Sequence, residues 1–299
     1  MHMVYKSILL IGVGALGSAF LQNSIGMFDK VGIFDGDVVA KSNLSTQPFY
    51  ADCDPSFPVS KAGFAADKMR GIDKNTEYIP YEKYFTDEDF EIFSQYDVIA
   101  DFTDNLRSRL VINDGCTKRG KPAIFSSLND RELSIFFYGE DSACFNCIFR
   151  NSIGKAKEGC EAMLSLPGKN AMSFMMEKIS LFLSGNLEPG SFCAFNLSNG
   201  NEIQTETMKD LECETCSLHS FKLERDGFIQ VCSSGIKFSL HKQIPLYGLK
   251  DKLNGSRLID NYLLYGKNGM SVLVSENGDF LFTNYSRKQA EELLASLFP

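Results

Sequence analysis

One stretch near the start of the chain, Ser7-Ile8-Leu9-Leu10-Ile11-Gly12-Val13-Gly14-Ala15-Leu16-Gly17, restricts the fold more than any other. A short apolar run that stops at glycine reads as a buried strand over Ser7–Val13, and Ala15–Ser24 behind it reads as a helix. Gly12, Gly14 and Gly17 then stand at the spacing G-x-G-x-x-G in a strand-to-helix turn. Glycines at this spacing permit the tight turn, a close backbone approach to a phosphate and close packing of the helix, whose N-terminus attracts an anion. Lys30–Phe34 reads as a second strand ending at Asp35, 18 positions beyond Gly17, where a carboxylate can accept hydrogen bonds from ribose hydroxyls. By itself this combination says nucleotide or dinucleotide and leaves an NAD-dependent oxidoreductase open.

Strand and helix patterns continue to alternate. A loop rich in Ser, Asn and Pro leads to a helix at Lys61–Arg70, followed by Glu77–Pro80, Asp87–Ser94, Asp97–Phe102, Leu106–Arg119 and Pro122–Phe125. Such alternation predicts an α/β fold, with a mainly parallel sheet and helices on both faces. Past Arg131 the texture changes to a strand at Leu133–Tyr138, a helix at Gly168–Leu183 and a hairpin of Phe192–Leu197 with Glu202–Thr205 around Ser198-Asn199-Gly200-Asn201. The tail reads as strands at Phe228–Val231, Ile236–Leu240, Leu258–Leu264, Ser271–Val274 and Phe280–Thr283, with a short helix after the second strand and a closing helix at Arg287–Leu297. We expect a larger domain over residues 1-219 and a small C-terminal α+β domain over 220-299.

With 299 residues and 44% hydrophobic content the chain can bury a sizeable core. A net charge of −8 gives no long-range attraction to nucleic acid or to an anionic membrane, so neither is expected as a partner. Met1-His2-Met3 runs straight into the first strand without the basic and apolar segments of a secretory leader. No run approaches the roughly 18 uninterrupted apolar residues of a membrane span. A cytoplasmic location is the expectation.

Nine cysteines, four of them in two C-x-x-C pairs, suit metal binding in a reducing compartment better than a disulfide framework. Cys144, Cys147, Cys213 and Cys216 supply the four thiolates of a closed tetrahedral zinc site, and their wide separation suits a clip between two distant segments. A redox pair would need only one C-x-x-C beside a βαβ unit. Cys53, Cys116, Cys193 and Cys232 read as core fillers. Cys160 stands apart, 13 positions after Cys147 in a segment where Lys155 and Lys157 would favour its thiolate. Met172–Met176 reads as core or as a dimer interface.

The remaining motifs narrow the nucleotide reading. Asp35-Gly36-Asp37, then Ser42-Asn43-Leu44 with Gln47, then Lys61, then Thr103-Asp104-Asn105 with Arg109 stand in this order along the chain. Together they resemble the ThiF/MoeB/HesA adenylyltransferases of the ubiquitin-activating superfamily, over roughly residues 6 to 218. The resemblance implies a Rossmann-like adenylation domain carrying a zinc-clipped extension. It implies an enzyme that uses ATP to adenylylate the C-terminal carboxylate of a ubiquitin-like or sulfur-carrier protein, or of a peptide, and it implies a homodimer. Gly12, Gly14, Gly17, Asp35, Asp37, Asn43, Gln47, Lys61, Asn105 and Arg109 would hold the nucleotide. Asp104 would hold Mg²⁺, Lys61 would stabilise charge on the transferred phosphoryl group, and the four paired cysteines would hold structural Zn²⁺. Cys160 would be placed as the residue that in some relatives forms an acyl disulfide with the activated carrier.

Two features depart from the family pattern. Thr46 stands where S-N-L-x-R-Q has its arginine, and the chain opens at its first strand, without the leading helix from which relatives supply an arginine to the partner's site. Lys41, Arg107 or Arg109 is the cation expected to compensate if turnover is efficient. A nucleotide-binding scaffold or a peptide-modifying relative is therefore the alternative, with the NAD-dependent oxidoreductase second.

Overall fold

The computed structural model describes residues 5–153, 168–220, 228–231, 235–240 and 242–298. The chain divides into two compact units, one ending shortly after the second cysteine pair and one formed by the C-terminal elements.

In chain order the first unit holds β1 (Ser7–Ile11), α1 (Ala15–Asn23), β2 (Lys30–Phe34), α2 (Asn43–Thr46), a 3-10 turn (Pro48–Tyr50), α3 (Lys61–Ile72) and β3 (Glu77–Tyr81). A 3-10 helix (Asp87–Gln95), β4 (Val98–Asp101), α4 (Leu106–Arg119), β5 (Ala123–Leu128) and β6 (Glu132–Tyr138) follow. The unit closes with α5 (Phe145–Ile153), α6 (Lys169–Leu183), β7 (Ser191–Asn196) and β8 (Glu202–Glu206). Its eight strands lie in the order β3-β2-β1-β4-β5-β6-β7-β8. β3, β2, β1, β4 and β5 are parallel, and β6, β7 and β8 add antiparallel. The α/β fold expected from the alternation is therefore present, and the switch in strand order falls between β1 and β4.

Both faces of the parallel part are covered, which is why its strands read as unbroken apolar runs. In β1, Ile8 and Leu10 join one core with Phe20 of α1 and Ala65 and Met69 of α3. Leu9 and Ile11 point the other way, into a core with Phe93 of the 3-10 helix and Ile112 of α4. These four strand residues are at most 2% exposed, and burying each side chain is worth about 1.5–3 kcal/mol.

The second unit is an antiparallel sheet of β9 (Phe228–Val231), β10 (Gly235–Ser239), β11 (Arg257–Ile259), β12 (Tyr262–Lys267), β13 (Met270–Ser275) and β14 (Asp279–Thr283). α7 (Leu246–Lys252) and α8 (Arg287–Leu297) share its core, where Phe280 and Phe282 meet Leu249 and Leu294. The expected single strand Leu258–Leu264 is instead the hairpin β11–β12, turned where Asp260 takes a left-handed φ of 49°. Asp tolerates that conformation because its short polar side chain can bond locally. Two further differences concern helices. Asp87–Gln95 is a 3-10 helix, opened by a reciprocal capping box between Thr86 and Asp89. The short α2 lies inside the segment read as a loop, and α5 starts within the first cysteine pair.

Two glycines in the first turn are dictated by space. Gly12 has a φ of +91°, and a Cβ there would stand 2.9 Å from the Phe102 carbonyl. A Cβ on Gly17 would stand 2.1 Å from the Gly12 carbonyl oxygen, which is backbone and cannot move aside. Gly14 is different, since a Cβ there meets nothing within 4 Å. Gly17→Ala is therefore expected to destabilise the fold by about 1–3 kcal/mol. Gly14→Ala should change stability by no more than about 0.5 kcal/mol, both being read from urea-unfolding midpoints at constant slope.

Candidate functional site

The glycine turn is held from both sides of one residue. Asp35, just past the end of β2, accepts the Val13 N–H through Oδ2 at 2.8 Å and the Asp37 N–H through Oδ1 at 2.8 Å. On the other side the Tyr50 hydroxyl donates to the Val13 carbonyl at 2.5 Å. Tyr50 is fully buried, and burial pushes its phenol well above the ordinary value, so it stays a donor. The turn is thereby fixed with the open side of Gly14 at the N-terminus of α1, the geometry that suits a phosphate. Tyr50 was not singled out by the sequence reading; an aromatic residue in a loop carries no motif.

Lys61 is the first residue of α3, whose N-cap Ser60 accepts the Gly63 N–H. Its backbone N–H donates to the Asp37 carbonyl at 2.8 Å, and its ammonium lies 3.3 Å from Asp37 Oδ2. Tyr84 also donates to Asp37, at 3.3 Å to Oδ1. Lys61 is only 8% exposed. Burial drives its pKa down, but the carboxylates of Asp37, Asp35 and Asp104 and the hydrogen bond to Asp37 outweigh this and leave it above the ordinary value. Lys61 is thus a buried ammonium that is charged at neutral pH, paired with Asp37 and in the field of Asp35 and Asp104.

Asn43 opens α2, and its Oδ1 accepts the Ala40 N–H at 2.9 Å. Gln47, at the end of α2, has a buried Oε1 with no hydrogen-bond partner among the described residues. The α2 segment is linked to the glycine turn through Tyr50, which closes the 3-10 turn following Gln47. Thr46 bonds back to the Ser42 carbonyl at 2.9 Å.

On the far side of the strand switch, β4 ends in Asp101, which is fully buried. Its Oδ1 accepts the N–H of Thr103 at 2.9 Å and the Thr103 hydroxyl at 2.7 Å. Burial pushes the Asp101 pKa up to about 6, against the opposing pull of Arg109 and of the Thr103 bonds. Asp104 is exposed at this strand end and acts electrostatically on both Lys61 and Asp101. Asn105 caps α4 by accepting the Ser108 N–H at 2.8 Å. Arg109 turns onto the same corner: Nη2 donates to the carbonyls of Thr103 and Ser126 at 2.6 and 3.1 Å, and Nε lies 3.6 Å from Asp101 Oδ2. Gly12, Gly14, Gly17, Asp35, Asp37, Lys61 and Asp104 therefore gather at the C-terminal ends of β1, β2 and β4, outside the strand switch where open α/β sheets bind ligands. Cys160 lies outside the described residues.

The second site is the cysteine cluster. The four sulfurs of Cys144, Cys147, Cys213 and Cys216 lie within 4.8 Å of one another. Individual separations are 3.8 Å for Cys144–Cys147, 3.6 Å for Cys144–Cys213 and 3.4 Å for Cys147–Cys216. Four thiolates bound tetrahedrally to zinc at 2.3 Å have sulfur–sulfur edges of about 3.8 Å, so the set fits that ion. N–H groups point at the sulfurs as they do around bound metals: Asp210 N to Cys147 at 3.5 Å, and the side-chain amides of Asn113 to Cys144 and Asn146 to Cys213 at 3.8 Å. The hydrogen bond from the Cys144 thiol draws Cys147 below the ordinary thiol value, and Cys144 is itself pushed up by that bond and by burial. Thiols crowded in this way are stabilised when a divalent cation replaces their protons.

Comparison with known proteins bears on the family and the fold. Over 150 residues, 48% of this chain and 32% of the other, the sequence is 33% identical to the adenylyltransferase and sulfurtransferase MOCS3 of Xenopus laevis. It is 30% identical to the sulfur carrier protein adenylyltransferase of Thermus thermophilus over 151 residues, 48% of this chain and 55% of that protein. The matched stretch thus spans about a third of the length of the MOCS3 protein and about half that of the Thermus thermophilus protein. Among solved structures, E. coli MccB superposes with a TM-score of 0.57 at 12% identity, covering 75% of this chain and 67% of MccB. PaaA superposes at 0.53 and 18% identity, covering 69% and 65%. Both share the fold. A family model described as the ThiF family matches residues 3–217, well over half of the chain, and the chain belongs to that family.

Proposed function

We propose that this protein is an ATP-dependent adenylyltransferase that joins AMP to the C-terminal carboxylate of a ubiquitin-like or sulfur-carrier protein, or of a peptide, and releases pyrophosphate. The observation that carries the reading is the buried Lys61 ammonium held among Asp37, Asp35 and Asp104 beside a glycine turn that is open at Gly14. Bringing a carboxylate to the α-phosphate of ATP sets two anions against each other. A preorganised cation at the point where charge develops lowers that cost without reorganisation. Lys61 supplies the cation, the N-terminus of α1 supplies the phosphate cradle, and Asp35 supplies the ribose acceptor. Asn43 and Gln47 add polar groups beside the turn. The names of the relatives favour this reading, since they describe a sulfur carrier protein adenylyltransferase and crystal structures of MccB with ATP and with MccA-N7isoASN.

Asp104 would hold Mg²⁺. An exposed carboxylate at a strand end is the oxygen ligand that this ion takes, and its chemistry there would be to neutralise phosphate charge. The cysteine cluster would hold structural zinc, because four protein ligands leave no open position for substrate. Catalysis in this reading belongs to the unit over residues 1-219, the protein acts as a homodimer, and the cytoplasm is the compartment in which the free cysteines of the described residues persist. Cys160 would act only after adenylylation.

Thr46 favours a second reading, a nucleotide-binding scaffold, because its hydroxyl is engaged within α2 and it brings no charge where the family has arginine.

The test is exchange of labelled pyrophosphate into ATP in the presence of small proteins ending in Gly-Gly or peptides encoded beside the gene. Exchange is expected with one of them. Asp104→Ala and Lys61→Ala should each lower it by at least about 100-fold, the scale of losing a preorganised charge, while Cys160→Ala should leave it intact. Tight ATP binding without exchange selects the scaffold, and NAD binding without ATP binding selects a dehydrogenase. Metal analysis should find one zinc per chain. Cys213→Ser should remove it and lower the melting temperature by more than about 10 °C, given the size of structural zinc binding energies.

A further inference from the structure

We propose that Asp101 and Arg109 are positioning residues that fix the Thr103–Asp104 peptide, and with it the carboxylate of Asp104, and that neither touches the nucleotide. The inference rests on the adenylyltransferase reading, and it gives Arg109 a different part from the one its place in the family pattern implies.

Thr103 is clamped on every polar group it has. Asp101 Oδ1 takes its N–H and its hydroxyl, and Arg109 Nη2 donates to its carbonyl at 2.6 Å. That carbonyl belongs to the peptide bond leading into Asp104, so the clamp sets the plane from which the Asp104 side chain departs. Arg109 stands in the first turn of α4 and is tied to the neighbouring strand through the Ser126 carbonyl at 3.1 Å. Its side chain is 15% exposed and that of Asp101 is 0% exposed, which removes the carboxylate from contact with any ligand. Asp101 Oδ2 has no hydrogen-bond partner among the described residues, yet Arg109 Nε lies 3.6 Å away. The guanidinium thus compensates a buried carboxylate and holds the loop, leaving Asp104 as the acid presented at the surface. A rigid support of this kind places a ligand oxygen within the narrow tolerance that a metal-bound phosphate requires.

The test uses the full-length protein and separates metal affinity from nucleotide affinity. Binding of a fluorescent ATP analogue is measured in buffer freed of Mg²⁺ and Mn²⁺ without added chelator, so that any cysteine-bound zinc stays in place, and binding of Mn²⁺ to the complex with a non-hydrolysable ATP analogue is followed by electron paramagnetic resonance. For Asp101→Asn and Arg109→Lys, the metal-free nucleotide affinity should stay within about 2-fold of wild type, and Mn²⁺ affinity should fall about 10- to 100-fold, the scale of removing an outer-shell partner of a metal ligand. Thr103→Val deletes one hydroxyl and keeps the backbone bonds, so it carries the test should the charged variants fail to fold; its Mn²⁺ affinity should fall by about 2- to 5-fold. Wild-type Mn²⁺ affinity in the folded variants overturns the proposal. So does an equal loss of metal-free nucleotide affinity in Arg109→Lys, which would mean that Arg109 touches phosphate directly. If the wild-type protein binds no ATP analogue at all, the adenylyltransferase reading itself fails.

Discussion

Everything at the candidate site hangs on the carboxylate of Asp35. It takes one backbone N–H from Val13 in the glycine turn and one from Asp37 in the next loop, each at 2.8 Å. A carboxylate receiving two N–H bonds holds two chain segments that sequence keeps 22 residues apart in one fixed relation. Asp37, oriented in this way, faces Lys61, and Lys61 in turn starts α3. The turn is also tightly packed, because a Cβ on Gly12 or Gly17 would run into backbone atoms. The ligand-facing surface is therefore rigid before any ligand arrives, which is what electrostatic preorganisation needs.

The charge balance at the strand ends is informative about the ligand. Asp35, Asp37, Asp101 and Asp104 are countered by Lys61 and Arg109, and Arg109 is committed to Asp101 and to backbone carbonyls. Among these six groups negative charge exceeds positive, and a polyanion such as ATP would meet that excess. Two features would offset this: the partial positive charge at the N-terminus of α1 and, in the proposed reading, a divalent cation held by Asp104. Asp101 takes part differently. Its pKa is pushed up to about 6 by burial, so its carboxylate costs stability above that pH, and the cost is relieved as pH falls from about 6 toward its unfolded value near 4. A buried acid that weakens the fold at neutral pH is the kind of feature retained for geometry rather than for stability.

Much of this was legible in the chain. The parallel sheet could be read because its strands are buried on both faces and so appear as unbroken apolar runs, as in Ile8–Ile11 and Val98–Ala100. The glycine turn and the cysteine pairs could be read because spacing alone carries their chemistry. Asp101 could have been found, since it is a charge inside the apolar run Val98-Ile99-Ala100-Asp101-Phe102. Tyr50 could not, because a phenol that serves one distant carbonyl leaves no local pattern. The β11–β12 hairpin leaves only a faint mark: its turn is the two residues Asp260-Asn261 set inside an apolar run, with Asp260 left-handed and no glycine beside it. Asn43 and Asn105 stand where the motifs place them, but both side-chain oxygens serve local backbone groups. For Asn43 this leaves the amide group, without a partner among the described residues, as the donor it can offer a ligand.

The cysteine cluster and the nucleotide corner are distant in sequence but share α4. Asn105, Arg109 and Asn113 are spaced four apart and so lie along one face of that helix. Asn105 caps its start, Arg109 grips the Thr103 carbonyl, and Asn113 accepts the Phe145 N–H at 2.8 Å while its amide points at Cys144. One turn of helix, about 5.4 Å, separates each function from the next. Asp114 adds a second tie to the cluster by accepting from Thr215, which lies between Cys213 and Cys216. Four sulfurs held around one ion would fix α5 and the second cysteine segment together, and both are bonded to the middle of α4. Rotation of α4 would move Arg109 off Thr103, so the cluster restrains the same helix that carries the Asp104 support.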